Sequence, residues 1–285
     1  MDGALIFDRS QVHAVYHKVA FFARSLSCKP QGQASCITLT QGTMDSLYRL
    51  VVALNNKGAA CIHNDLLSAK AFFERALESA MTIFLMSSVP AESRIRSCGT
   101  TDSWRTSVLL STEEKRTLEK IPIIAESTFV RAIVLNESPL AYSADPNANL
   151  EVACVIVIFN LAIAYHREGL LAREDEVERK LQQAKEVYQN VLDSLLSIGV
   201  SLTKSSGHAI IDLIVLAISN NLAQLFYTIS DYGNSQWQIR RLTSYSSSIR
   251  TEFLDGYTAY VLGWHISVFA HNSAMLKTPL LAPAA

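Results

Sequence analysis

Charge is scarce in this chain, and neither sign prevails. Charged residues make up 18% of its 285 residues, 25 Lys plus Arg against 26 Asp plus Glu, where an average globular domain carries about 25%. A formal net charge of -1 offers no basic surface to neutralise phosphates, so nucleic acid is not an expected partner. Paired thiols are missing too. The 5 cysteines, Cys28, Cys36, Cys61, Cys98 and Cys154, are odd in number and form no C-x-x-C pair. That excludes a disulfide framework and leaves them as small apolar residues in a reducing compartment. The opening residues lack a basic leader: Asp2 and Asp8 stand there, and His13, His17 and Lys18 break the apolar stretch behind them. No secretory signal is expected, and an intracellular, cytoplasmic location follows. The 11 glycines are scattered; no P-loop, G-x-G-x-x-G or G-x-S-x-G run is present, which removes nucleotide hydrolysis and the serine-hydrolase turn.

Apolar residues, by contrast, reach 49%, enough for a large core in a single helical domain over 1–285. The longest apolar runs are Val152 to Tyr165, interrupted by Asn160, and Ile210 to Ile229, interrupted by Asp212, Asn220, Asn221 and Gln224. A bilayer span needs about 20 mostly apolar residues with few polar ones, so these read as buried helices and no transmembrane segment is expected.

Spacing of apolar residues predicts helices throughout. An N-terminal helix occupies 8–27. A first helical hairpin covers 44–86, broken at Asn64 and Asp65, where Asp caps the second helix. A Ser-, Pro- and Arg-containing surface loop follows over 87–107, then a short charged helix over 112–120. A second hairpin covers 149–198, with Gly169 as the stop of its first helix. A third covers 210–250, divided by Asp231, Tyr232, Gly233 and Asn234. A C-terminal helix over 254–276 and a frayed tail complete the chain. Ser127 to Leu135 alternates in part, with Phe129, Ile133, Val134 and Leu135, but its helical and proline-bearing surroundings argue against a strand.

The three hairpins share a pattern. Their first helices carry Asn56, Gly58 and Cys61; Asn160, Ala162 and Tyr165; and Asn221, Ala223 and Phe226. Their second helices carry Ala69, Phe73 and Ala76; Ala184, Tyr188 and Val191; and Ser235, Ile239 and Leu242. A small side chain at a crossing lets two helices approach while a large one fills the space beside it, so Gly58, Ala162 and Ala223 are the expected crossings. This pattern resembles the tetratricopeptide repeat, a helix-turn-helix of about 34 residues. The copies depart from that family in lacking its Trp and closing Pro, and in not being contiguous. The resemblance implies an all-α fold of helix-turn-helix repeats, forming a short right-handed α-solenoid or a helical bundle.

Asn is a mediocre helix residue, so its return at one repeat position needs a reason. In tetratricopeptide proteins the corresponding Asn faces a concave groove and hydrogen-bonds a bound peptide's backbone. The resemblance therefore implies partner-binding roles for Asn56, Asn160 and Asn221, with His166 and Tyr227 extending the surface. A buried Asn tying helices together is the other reading. The Lys and Asn carboxylate clamp of some relatives is not expected, since Asn55, Phe159 and Asn220 stand before the three Asn.

Other clusters carry less. His13 and His17 share a helical face but lack the Glu of H-E-x-x-H, and His265 and His271 fall on different faces, so no metal is expected. Glu174, Asp175, Glu176 and Glu178 crowd a helix start, where they complement its dipole. With no oriented acid, base or nucleophile and no cofactor motif, the chain is not expected to be an enzyme. The function implied is a non-catalytic adaptor binding a peptide or partner helix. The alternative is a structural subunit that self-associates or joins a larger complex. An enzyme with an unrecognised site, and a peripheral membrane role for Tyr257 to Leu281, rank behind both.

Overall fold

A computed structural model describes residues 41–86, 129, 132–135, 146–206, 209–250 and 256–277. These described residues form seven helices and no strand: α1 (Gln41–Cys61), α2 (Leu66–Met86), α3 (Pro146–Leu170), α4 (Glu174–Ser197), α5 (Ala209–Thr228), α6 (Tyr232–Ser248) and α7 (Gly256–Lys277). The all-α reading holds for them. Helices expected over 8–27 and 112–120, the loop over 87–107, the tail, and the His13 and His17 pair lie outside the described residues.

Pairing follows chain order. α1 packs on α2, α3 on α4 and α5 on α6, and these hairpins join through α2 against α3, α4 against α5 and α6 against α7. First helices also meet, α1 with α3 and α5 with α7. The core runs continuously through all of them. α3 and α5 lie at its centre. Both contain stretches long and apolar enough to cross a membrane by length and composition, Leu150–Leu170 and Ile210–Thr228, and these are 89% and 83% buried inside the stack. Asp212, the one acidic residue in the first turn of α5, is buried and accepts hydrogen bonds from Tyr245 Oη at 2.7 Å, Ser205 Oγ at 2.6 Å, and the backbone N–H and Oγ of Ser206, both at 2.8 Å. One carboxylate thus ties the loop before α5 to α6, which is what its burial requires.

Local chemistry sets the helix ends. Asp65 accepts from the Ser68 backbone N–H at 3.0 Å, capping α2 as the sequence suggests. Asp231 caps α6 through the Asn234 N–H at 3.2 Å, so Tyr232, Gly233 and Asn234 belong to the helix and not to the connection. At the end of α4, Gly199 adopts φ 83°, the Val200 N–H donates to the Leu195 carbonyl and the Gly199 N–H to that of Leu196. α5 ends the same way, with Ser230 at φ 61° in the glycine position.

Gly169 corrects the sequence reading. It lies inside α3, and a Cβ there would stand 2.6 Å from Leu181 Cδ2 of α4. Its role is close approach, not termination. Gly58 has the role expected of it, since a Cβ on it would meet the Phe73 ring at 2.6 to 2.9 Å. Ala162 and Ala223 are buried at the equivalent places, and the Ser235 hydroxyl reaches the Ala223 carbonyl at 2.9 Å. Across α2, α3 and α4, Glu168 receives both Lys70 and Lys180 at 2.7 Å. Burial raises the Glu168 pKa, but the hydrogen bonds from Lys180 and Lys70 outweigh it and hold the carboxyl below its usual range.

Candidate functional site

An Asn side chain carries one carbonyl acceptor and one amide donor group. That pair matches the N–H and C=O of a single extended residue, which point to the same edge of a strand. The match occurs three times along one segment. Asn221 Oδ1 accepts the Phe129 N–H at 2.7 Å, while its Nδ2 donates to the Phe129 carbonyl at 2.7 Å. Asn160 holds Ile133 likewise, at 2.8 and 2.7 Å. Asn56 holds Leu135, at 2.9 and 2.8 Å. Residues 129, 133 and 135 are all odd in number. In an extended chain Ile133 and Leu135 share one edge and one face, which accounts for the amides meeting both and for the two being buried while Val134 between them is half-buried.

The segment runs against the order of the hairpins, from α5 at Phe129 to α3 at Ile133 and α1 at Leu135. Among the described residues it forms no ladder with another strand. Among the described residues, its backbone hydrogen bonds go to asparagine side chains. The expectation of no strand over Ser127 to Leu135 holds for its described residues, 129 and 132–135, where asparagine side chains supply what a neighbouring strand would.

A second set of groups aims these amides. Asn55 donates to the Ile133 carbonyl at 3.0 Å and accepts from Asn160 Nδ2 at 2.8 Å. Asn221 Nδ2 also donates to Tyr188 Oη at 2.8 Å, and Asn272 of α7 reaches Asn220 Oδ1 at 3.0 Å. Tyr188 is fully buried in α4, which pushes its pKa up and keeps it a neutral phenol. Its oxygen lies 3.3 Å from His166 Nδ1. Burial pushes the His166 pKa down to about 4, leaving a neutral ring whose Nδ1 can accept the phenol proton. Phe129 enters an aromatic enclosure: ring centroids of His265, Phe159 and Phe269 lie at 5.3, 6.0 and 6.1 Å, the His265 and Phe269 rings edge-on.

Of the five residues singled out from the sequence, the structure gathers Asn56, Asn160 and Asn221 around the segment. It places His166 beneath Tyr188 and Tyr227 against Tyr232, ring centroids 5.4 Å apart. Six residues separate His166 from Asn160 and Tyr227 from Asn221, roughly 240° around a helix beyond a full turn, which turns them toward the second helices. Asn55, Tyr188, Phe159, His265, Phe269 and Asn272 were not singled out. The doublets Asn55-Asn56 and Asn220-Asn221 carried a signal for the first; nothing local marked the others. Among the described residues no group of three His, Cys, Asp or Glu could hold a metal. Glu174, Asp175 and Glu176 occupy the first turn of α4 and are exposed.

The sequence matches no family model and no curated protein, and no solved structure matches its fold.

Proposed function

We propose that this chain is a non-catalytic scaffold of tetratricopeptide-like repeats whose row of asparagine amides holds an extended stretch of protein. The observation that carries this reading is the threefold recurrence of a two-point amide contact to main chain, once per hairpin. Main-chain recognition is indifferent to side-chain identity, so it suits a binding surface. The contacting amides are neutral, which makes salt a weak influence on affinity.

Selection of peptides from a displayed ten-residue library on the full-length protein tests the reading. Clones should be recovered, and their affinity should fall at least tenfold against Asn160→Asp/Asn221→Asp. That variant keeps the volume but presents oxygen where an amide must donate to a carbonyl. A buried, unsatisfied pairing of this kind costs roughly 1 to 3 kcal/mol per site, which sets the scale of the loss. Recovery of no clone, or clones that bind the variant equally well, overturns the reading and returns the asparagines to a purely structural role.

A further inference from the structure

We propose that Phe129 and residues 132–135 are a resident, displaceable ligand, and that the partner of this groove is an extended peptide copying their chemistry: an aromatic residue followed by aliphatic residues four and six positions later. The proposal rests on the peptide-groove reading above. It adds what the groove selects and what leaves before a partner enters.

Removing the segment leaves the helices' own bonding intact. Its backbone pairs with side chains, not with helix backbone, and the hairpins already pack directly on one another. The amides stay aimed without it. Asn55 holds Asn160, Tyr188 holds Asn221, and Asn272 holds Asn220, so a vacated row is preorganised and its exposed edge can be wetted by solvent.

Selectivity comes from the buried face. Phe129 is surrounded by Phe159, His265 and Phe269, an aromatic anchor of the kind that dominates binding energy. Ile133 and Leu135 are 1% and 2% exposed, which makes these two positions the aliphatic subsites. Val134 is half-buried and imposes little selection, whereas Ala132, half-buried and packed against the core, favours a small residue. The contacts Asn221 to Phe129, Asn160 to Ile133 and Asn56 to Leu135 fix the register between anchor and subsites.

Exchange of one strand for another of the same pattern conserves both the hydrogen bonds and the buried apolar area. What favours the resident is that it belongs to the same chain, which makes its binding intramolecular and independent of protein concentration. A free peptide therefore binds weakly to the parent and gains when the resident is weakened.

The probe is a fluorescein-labelled synthetic peptide of residues 127–136, titrated into full-length protein and read by fluorescence anisotropy. Phe129→Ala/Ile133→Ala empties the anchor and one subsite without touching the helices. The peptide should bind this variant at least tenfold more tightly than the parent. The gain should vanish when Asn160→Asp/Asn221→Asp is added, and a peptide with Ala in place of its Phe should bind at least tenfold less tightly. Should the double variant fail to fold, Leu135→Pro, which removes the N–H that Asn56 accepts, is measured in its place with the same expectation. Equal, tight binding to parent and variants means the resident does not compete; this inference then falls while the groove reading stands. Absence of binding to parent and variants that keep their helical circular dichroism overturns both, and makes 129–135 a fixed part of the core.

Discussion

Each asparagine of the row sits where its helix would be better served by Ala, and what justifies it is a peptide edge 2.7 to 2.9 Å away. The recurrence of Asn56, Asn160 and Asn221 was legible in the sequence because three copies of an unfavourable residue do not arise from helix propensity. What they hold was not, since a groove contact and a core tie exploit the same amide, and the described geometry has features of both. His166 shows the limit of spacing arguments, for distance along a helix is not distance around it. Its burial nevertheless has a measurable consequence. With an ordinary value of 6.5 and a folded value near 4, the unfolded chain binds the proton first on acidification. Stability is therefore undiminished above pH 6.5, falls as pH drops below it, and levels off near 4, for a total of about 3 kcal/mol from this group. In the folded protein the ring takes up its proton only near pH 4, and there it can no longer accept from Tyr188, so the support of Asn221 weakens at the acid end of this window. Urea unfolding of parent and His166→Phe between pH 7.5 and 5 should show the parent losing stability faster. Parallel profiles would mean that the ring is not buried neutral.

At the scale of elements, small residues decide how closely helices approach. The repeat alignment put Gly58 at a crossing, and the Phe73 ring stands 2.6 Å from where a Cβ would be. Phe73 is fully buried, so the ring has nowhere to retreat. Gly58→Leu should lower stability by about 1 to 3 kcal/mol through overpacking, despite gaining nearly 1 kcal/mol of helix propensity. A thermal midpoint equal to or above the parent's would show that the crossing is loose. Gly169 was misread because glycine near a helix end has two uses, and only the position of Leu181 separates them. The connection before α6 was misplaced for a similar reason. Gly233 and Asn234 look like turn residues, but Asp231 caps the helix ahead of them. The extended segment escaped detection because period-two alternation identifies a strand by its faces and says nothing about side chains that replace its neighbours.

Across the whole molecule, the order of the hairpins was readable and the return of one segment across them was not. Contacts 79 and 92 residues apart in sequence, Asn56 to Leu135 and Asn221 to Phe129, leave no local trace. The same arrangement divides stability unevenly. The backbone amides of α3 and α5 are bonded within their helices, whereas those of Phe129, Ile133 and Leu135 are bonded to asparagine side chains. Native-state hydrogen exchange should find these three amides opening at lower free energy than residues 155–164, by at least 1.4 kcal/mol, a tenfold difference in protection. Equal protection in both places would mean that the segment leaves only when everything unfolds. The aromatic enclosure adds a consequence in time. As the chain emerges from the ribosome, Leu135 and Ile133 meet their asparagines once α3 has been made, but Phe129 must wait for Asn221, and its enclosure for His265 and Phe269. For roughly the hundred residues made between the end of α3 and Phe269, at about 5 to 20 residues per second, the nascent chain carries a half-built cleft with its aromatic plug unseated. Translation order thus makes seating of Phe129 the event that reports the arrival of α7.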